Sequence, residues 1–109
     1  MSLRTITPGR AEAELARGAL MLVDVRSRDQ WLRGHAAGAI HIPLRELPEH
    51  IERLEGRTLR IAFICRWGSR SAVAAELLTI RGRLVAYQVA GGFESWRLAG
   101  LPIEIPKPD

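Results

Sequence analysis

Residues 60–71 read Arg-Ile-Ala-Phe-Ile-Cys-Arg-Trp-Gly-Ser-Arg-Ser. The apolar run from Ile61 to Ile64, ending on Cys65, is what a parallel strand shows when both of its faces are covered. A glycine-containing loop follows. Residues Ser69 to Arg81 then place Val73, Ala74, Leu77, Leu78 and Ile80 at helical spacing, which predicts a helix stopped by Gly82. Strand, short loop and helix make the βα unit of an α/β domain, where ligands bind beyond the carboxyl ends of the strands. Cys65 stands at such an end.

Outward from this unit the same alternation continues. Leu3 to Ile6 reads as a short strand, Thr7-Pro8 as a helix start, and Gly9 to Arg17 as a helix ending at Gly18. Leu20 to Val25 is a second buried strand, and Asp24 within it needs a partner. Ser27 can cap a short helix through Trp31 to Arg33; Gly34 to Gly38 reads as a turn, and Ala39 to Ile42 as a short strand ended by Pro43. A helix over Leu44 to Leu54 lines up Leu44, Leu47, Ile51 and Leu54. Leu84 to Val89 supplies another strand, Gly91-Gly92 a tight turn, and Phe93 to Ala99 a last helix closed by Gly100 and Pro102. With no repeat, linker or composition break, residues 1–109 read as one domain, with a core over about 3–103.

Composition narrows the function classes. A single cysteine excludes an internal disulfide and any metal site built on paired thiolates, and no cofactor is implied. The 16 basic residues are all arginine except Lys107, and they are dispersed; the net charge of +4 suits small anionic substrates, without the basic stripe of a nucleic-acid footprint. No apolar run reaches the roughly 18 residues of a membrane helix, and no secretory signal pattern opens the chain, so the cytoplasm is the expected compartment.

A lone cysteine in an apolar stretch is commonly a small core residue. The loop sets Cys65 apart. Backbone N–H groups at the start of a helix lack partners of their own, and the helix dipole adds partial positive charge, so the turn is an anion cradle. That environment favours thiolate, the nucleophilic form. Gly68 lets the loop wrap, while Arg66 and Arg70 suit oxyanions such as sulfonate or phosphate. No histidine adjoins Cys65. Attack on sulfur needs neither an acyl oxyanion hole nor proton delivery to an amine, so the residues favour sulfur chemistry over acyl transfer.

Three blocks in order resemble the rhodanese-like domain. The first is Leu-Val-Asp24-Val-Arg26, with Trp31 and Gly34-His35-Ala-Ala-Gly38-Ala39-Ile-His41-Ile42-Pro43; the second is the Cys65-Arg66-Trp67-Gly68-Ser69-Arg70-Ser71 loop; the third is Gly91-Gly92-Phe93-Glu94-Ser95-Trp96 with Gly100-Leu101-Pro102. Together they span about Leu22 to Pro102. The resemblance implies a three-layer α/β fold, with a central, mainly parallel sheet flanked by helices. It also implies a sulfurtransferase cycle in which Cys65 takes sulfane sulfur from thiosulfate or another donor and passes the persulfide sulfur to cyanide or a thiol. Residues Arg66, Trp67, Gly68, Ser69, Arg70 and Ser71 would bind the substrate, while Asp24 and Arg26 form a supporting network. A protein sulfur donor or acceptor is compatible with this picture. His35 reads as a hydrogen-bonded structural histidine, Trp96 as core, and His41 stands where the family often has asparagine.

Two other readings have their own signatures. A regulatory or protein-binding module on the same fold often lacks the cysteine, which is present here. Phosphatases and arsenate reductases of related fold place five residues between cysteine and the closing arginine; here Arg66 to Ser69 make four before Arg70. The shorter loop suits a sulfur atom better than a phosphoryl group.

Overall fold

Five parallel strands form the centre of the computed structural model, which describes residues 4–55, 60–66, 73–74 and 86–107 of the chain. Among the described residues the order of elements is β1 (Arg4–Ile6), α1 (Pro8–Ala16), β2 (Leu20–Asp24), α2 (Arg28–Leu32), β3 (His35–Ala36), β4 (Ile40–His41), a 3-10 turn at Leu44–Glu46, α3 (Leu47–Glu55), β5 (Arg60–Ile64), β6 (Ala86–Val89), α4 (Gly92–Leu98) and β7 (Ile103–Glu104). The sheet runs β1-β6-β5-β2-β4. β5 therefore lies in the middle, with Asp24 opposite Ile64 across the β2–β5 ladder.

The period of two along each strand sorts the core into two layers. From β2, β5 and the residue that follows each, Val23, Val25, Ile61, Phe63 and Cys65 face one cluster with Leu47 and Leu54 of α3 and with Ala74. Leu20, Leu22, Ala62 and Ile64 face the other, with Ala11 of α1 and Phe93 and Trp96 of α4. Both faces of the sheet are covered, which is why its central strands read as continuous apolar runs rather than alternating ones.

The local signals for helix ends act as expected. Thr7 accepts from the Arg10 amide with Pro8 in the first turn of α1, and Ser27 with Gln30 forms a reciprocal capping box on α2. Three expectations need correction. Gly34 to Gly38 is more than a turn: His35 and Ala36 form β3, paired antiparallel with Ile103 and Glu104 of β7, a strand that the sequence did not announce. The segment from Leu44 begins as a 3-10 turn, and the α-helix starts at Leu47, with Pro48 in its first turn where the missing N–H is harmless. Val73 is half exposed although Ala74 is buried, so Val73 stands off the apolar stripe that its spacing predicts.

Strand ends fall within a residue or two of expectation. The Leu3 end of β1, the helix over Ser69 to Arg81 apart from Val73 and Ala74, Gly82, Leu84 and the Ile51 side chain lie outside the described residues.

Candidate functional site

Cys65 is the first residue past β5, and it is buried, with 1% of its surface exposed. It packs in the cluster that contains Val25, Phe63 and Ala74. Its carbonyl oxygen accepts a hydrogen bond from the Phe93 amide at 2.6 Å, and the Arg66 carbonyl accepts from the Glu94 amide at 3.3 Å. The first turn of α4 thus docks onto the backbone that carries the thiol.

That docking explains the paired glycines. Gly91 and Gly92 have φ of +72° and +63°, and a Cβ on Gly92 would overlap the Cys65 carbonyl oxygen and stand 2.7 Å from that of Arg66. Only glycine permits both the left-handed backbone and the close approach. The sequence reading found the turn and missed the contact. A Gly-Gly pair at the start of a helix with no side-chain N-cap was the available signal.

Asp24 and Arg26 form the expected pair, in a denser network than their spacing implies. Arg26 Nε donates to both Asp24 carboxylate oxygens at 3.0 Å, its amide donates to Oδ1 at 2.9 Å, and its Nη2 donates to the Gly34 carbonyl at 2.7 Å. Both side chains are buried. The guanidinium also lies 4.2 Å from the centre of the Phe93 ring. Asp24 orients Arg26, Arg26 stacks on Phe93, and the Phe93 amide holds the Cys65 carbonyl: the pair reaches the cysteine backbone through one aromatic residue.

His35 and His41 serve the framework. His35 Nδ1 donates to the Trp31 carbonyl at 3.1 Å, and its ring lies parallel to that of Trp31 with 3.4 Å between centres. His41 Nε2 donates to the Arg26 carbonyl at 2.8 Å and stacks on the same indole at 4.8 Å. Trp96 is fully buried, and its Nε1 donates to the Pro102 carbonyl at 2.9 Å.

Arg66 is exposed, and its charge acts on Glu94. The Glu94 carboxyl is held below its usual range chiefly by its hydrogen bond to Arg97, with Arg66 adding to the effect. Trp67, Gly68, Ser69, Arg70 and Ser71 lie outside the described residues. Among the described residues no group of histidine, cysteine and carboxylate side chains could hold a metal ion, and no helix is long and apolar enough to cross a membrane.

The model of the rhodanese-like domain matches residues 7–99. The chain belongs to the rhodanese-like domain family. Thiosulfate sulfurtransferase GlpE of Vibrio cholerae is 33% identical over 94 residues, covering 86% of this chain and 88% of that protein. The HTH-type transcriptional regulator Rv0324 of Mycobacterium tuberculosis is 38% identical over 103 residues; the match takes in 88% of this chain but only 44% of the regulator. Among solved structures, a rhodanese-related protein from Thermoplasma volcanium superposes with a TM-score of 0.83 at 33% identity, over 94% of this chain and 99% of that one. The central parallel sheet with helices on both faces is therefore the rhodanese-like architecture that the three motif blocks imply.

Proposed function

We propose that this rhodanese-like chain is a sulfurtransferase working through a Cys65 persulfide. The observation that carries the reading is the position of Cys65 directly past the middle strand of the parallel sheet, its backbone braced by the Phe93 amide. The Cys65 thiolate attacks the outer sulfur of thiosulfate; the S–S bond of the donor breaks, sulfite leaves with the electron pair, and Cys65 holds the persulfide. Cyanide or a thiolate then attacks the outer persulfide sulfur, and the Cys65 thiolate departs unchanged. In this reading the amides of residues 66–71 stabilise the anionic sulfur, Arg66 and Arg70 orient the donor, and Trp67 belongs to the substrate-binding loop. Burial of Cys65 keeps water from the persulfide between the two steps. The substrates are small molecules or a protein sulfur carrier, with neither nucleic acid nor membrane involved, and the cycle would run in the cytoplasm without a cofactor.

The test is mass spectrometry of the intact protein. Thiosulfate is expected to add one sulfur atom at Cys65, cyanide to remove it, and Cys65→Ser to abolish the addition. A folded protein that takes no sulfur from thiosulfate or other persulfide donors would instead support a regulatory or binding module. The similarity to part of a transcriptional regulator favours that as the second reading.

A further inference from the structure

Two successive amides of α4 hold two successive carbonyls of the reactive segment: Phe93 donates to Cys65 at 2.6 Å, and Glu94 donates to Arg66 at 3.3 Å. The register of these bonds seats Glu94 beside Arg66, the residue that follows the nucleophile. Gly92, where a Cβ would collide with the same two carbonyls, keeps that seating close.

The Glu94 carboxylate has a partner on its own helix. Arg97 Nη2 donates to Glu94 Oε2 at 2.8 Å, an i,i+3 pair on one face of α4. Glu94 is the more sheltered member, with 27% of its side chain exposed against 51% for Arg97. The hydrogen bond from Arg97, with the charge of Arg66 adding to it, holds the carboxyl below its usual range against the opposing effect of burial, so Glu94 is an anion at neutral pH. The sulfur cycle employs Arg66 and leaves Glu94 and Arg97 without a part.

We propose that Glu94 is a positioning residue for Arg66: its carboxylate, anchored by Arg97, offsets part of the Arg66 charge and so sets how strongly the site favours an anionic reactant over an uncharged one. The inference rests on the reading of Cys65 as the sulfur carrier and of Arg66 as the arginine that orients the donor, and it adds what tunes the choice of donor. A carboxylate and the oxygens of thiosulfate compete for the same guanidinium fork. Arg97 draws Glu94 along the helix and leaves more of the Arg66 charge to the donor. Without Arg97 the carboxylate turns to Arg66; without Glu94 the donor meets no competitor.

The test uses the full chain and two readouts: steady-state turnover of thiosulfate with cyanide as acceptor, and the rates at which Cys65 is alkylated by anionic iodoacetate and by uncharged iodoacetamide. Glu94→Gln is expected to lower KM for thiosulfate about threefold, the worth of one exposed ion pair, with the effect on KM rather than kcat, and to raise the iodoacetate-to-iodoacetamide rate ratio by a similar factor. Arg97→Gln is expected to move both quantities the opposite way. The double variant is expected to match Glu94→Gln, because Arg97 acts through Glu94. A double variant back at wild-type values would mean general surface charge, and a KM that rises or stays put in Glu94→Gln would mean a merely structural carboxylate; either overturns the proposal. Should Glu94→Gln fail to fold, unchanged KM and rate ratio in Arg97→Gln, an exposed position, would overturn it as well. Normal sulfur loading with neither quantity shifted in any variant would defeat the role of Glu94 and leave the Cys65 cycle standing. Shifted alkylation ratios in a protein whose Cys65 takes no sulfur would uphold that role and defeat the sulfurtransferase reading.

Discussion

The Phe93 amide and the Cys65 carbonyl oxygen, 2.6 Å apart, join the first turn of α4 to the residue that carries the nucleophile. With the bond from the Glu94 amide to the Arg66 carbonyl, this hydrogen bond connects two motif blocks distant in the chain. It also links the Asp24–Arg26 pair to the cysteine, since the Arg26 guanidinium stacks on the Phe93 ring.

Gly92→Ala is expected to damage the site as well as the fold. The left-handed backbone alone costs about 1–2 kcal/mol for a side-chain-bearing residue, and the added methyl would also collide with the carbonyl oxygens of Cys65 and Arg66. Gly100→Ala is the control: its φ is +73°, but a Cβ there meets nothing within 4 Å. Thermal midpoints and sulfur loading from thiosulfate, measured on both variants, should show Gly100→Ala losing stability only and Gly92→Ala losing both. Similar loading by the two would mean that the contact does not shape the site.

Arg26→Gln strands a fully buried carboxylate, and loss of one partner from a buried pair costs about 3–5 kcal/mol. Asp24→Asn combined with Arg26→Gln leaves no uncompensated charge, so the double variant is expected to lose less than the sum of the single losses. Urea denaturation of the four proteins measures this, and simple additivity would mean that the two groups do not act as a pair.

Glu14 predicts an acid limb. Its carboxyl is held below the ordinary 4.5 chiefly by its hydrogen bond from Arg10, against opposing desolvation, with Arg60 adding to the lowering. The unfolded chain binds this proton more readily than the folded one, so the stabilisation is complete above about pH 4.5 and drains away as the pH falls through the lower folded value. Glu14→Gln should therefore show a smaller drop in thermal midpoint between pH 6 and pH 3 than the wild type. An equal drop would assign the acid limb to other groups.

Arg70→Ala tests the donor side. If Arg70 holds the anionic end of thiosulfate, the variant should load sulfur poorly from thiosulfate while keeping most of its loading from an uncharged persulfide donor. Equal losses with the two donors, read by mass spectrometry at Cys65, would indicate collapse of the loop instead.

Much of this was legible in residue order. Ser27 and Gln30 stand three apart and cap α2, Thr7 and Pro8 open α1, and the apolar runs at Leu20 and Arg60 become the paired central strands β2 and β5. Each is a short-range effect, in which hydrogen-bond geometry or periodicity acts within a few residues. The pairing of β3 with β7 was illegible for the opposite reason: two-residue strands carry no period, and their partners lie 67 to 69 positions apart in number.

By itself, then, the sequence determined the α/β alternation, the placement of Cys65 at a strand end and the nearness of Arg26 to Asp24, because backbone propensity and i,i+2 spacing decide them locally. Only the tertiary structure decided that Gly92 must be bare because the Cys65 carbonyl sits against it. The same holds for Arg60 reaching a buried Glu14, and for Arg28 and Arg45 facing one cleft. These meetings depend on strand order and on how each loop closes over the sheet. Side chains from distant segments converge only once both are set.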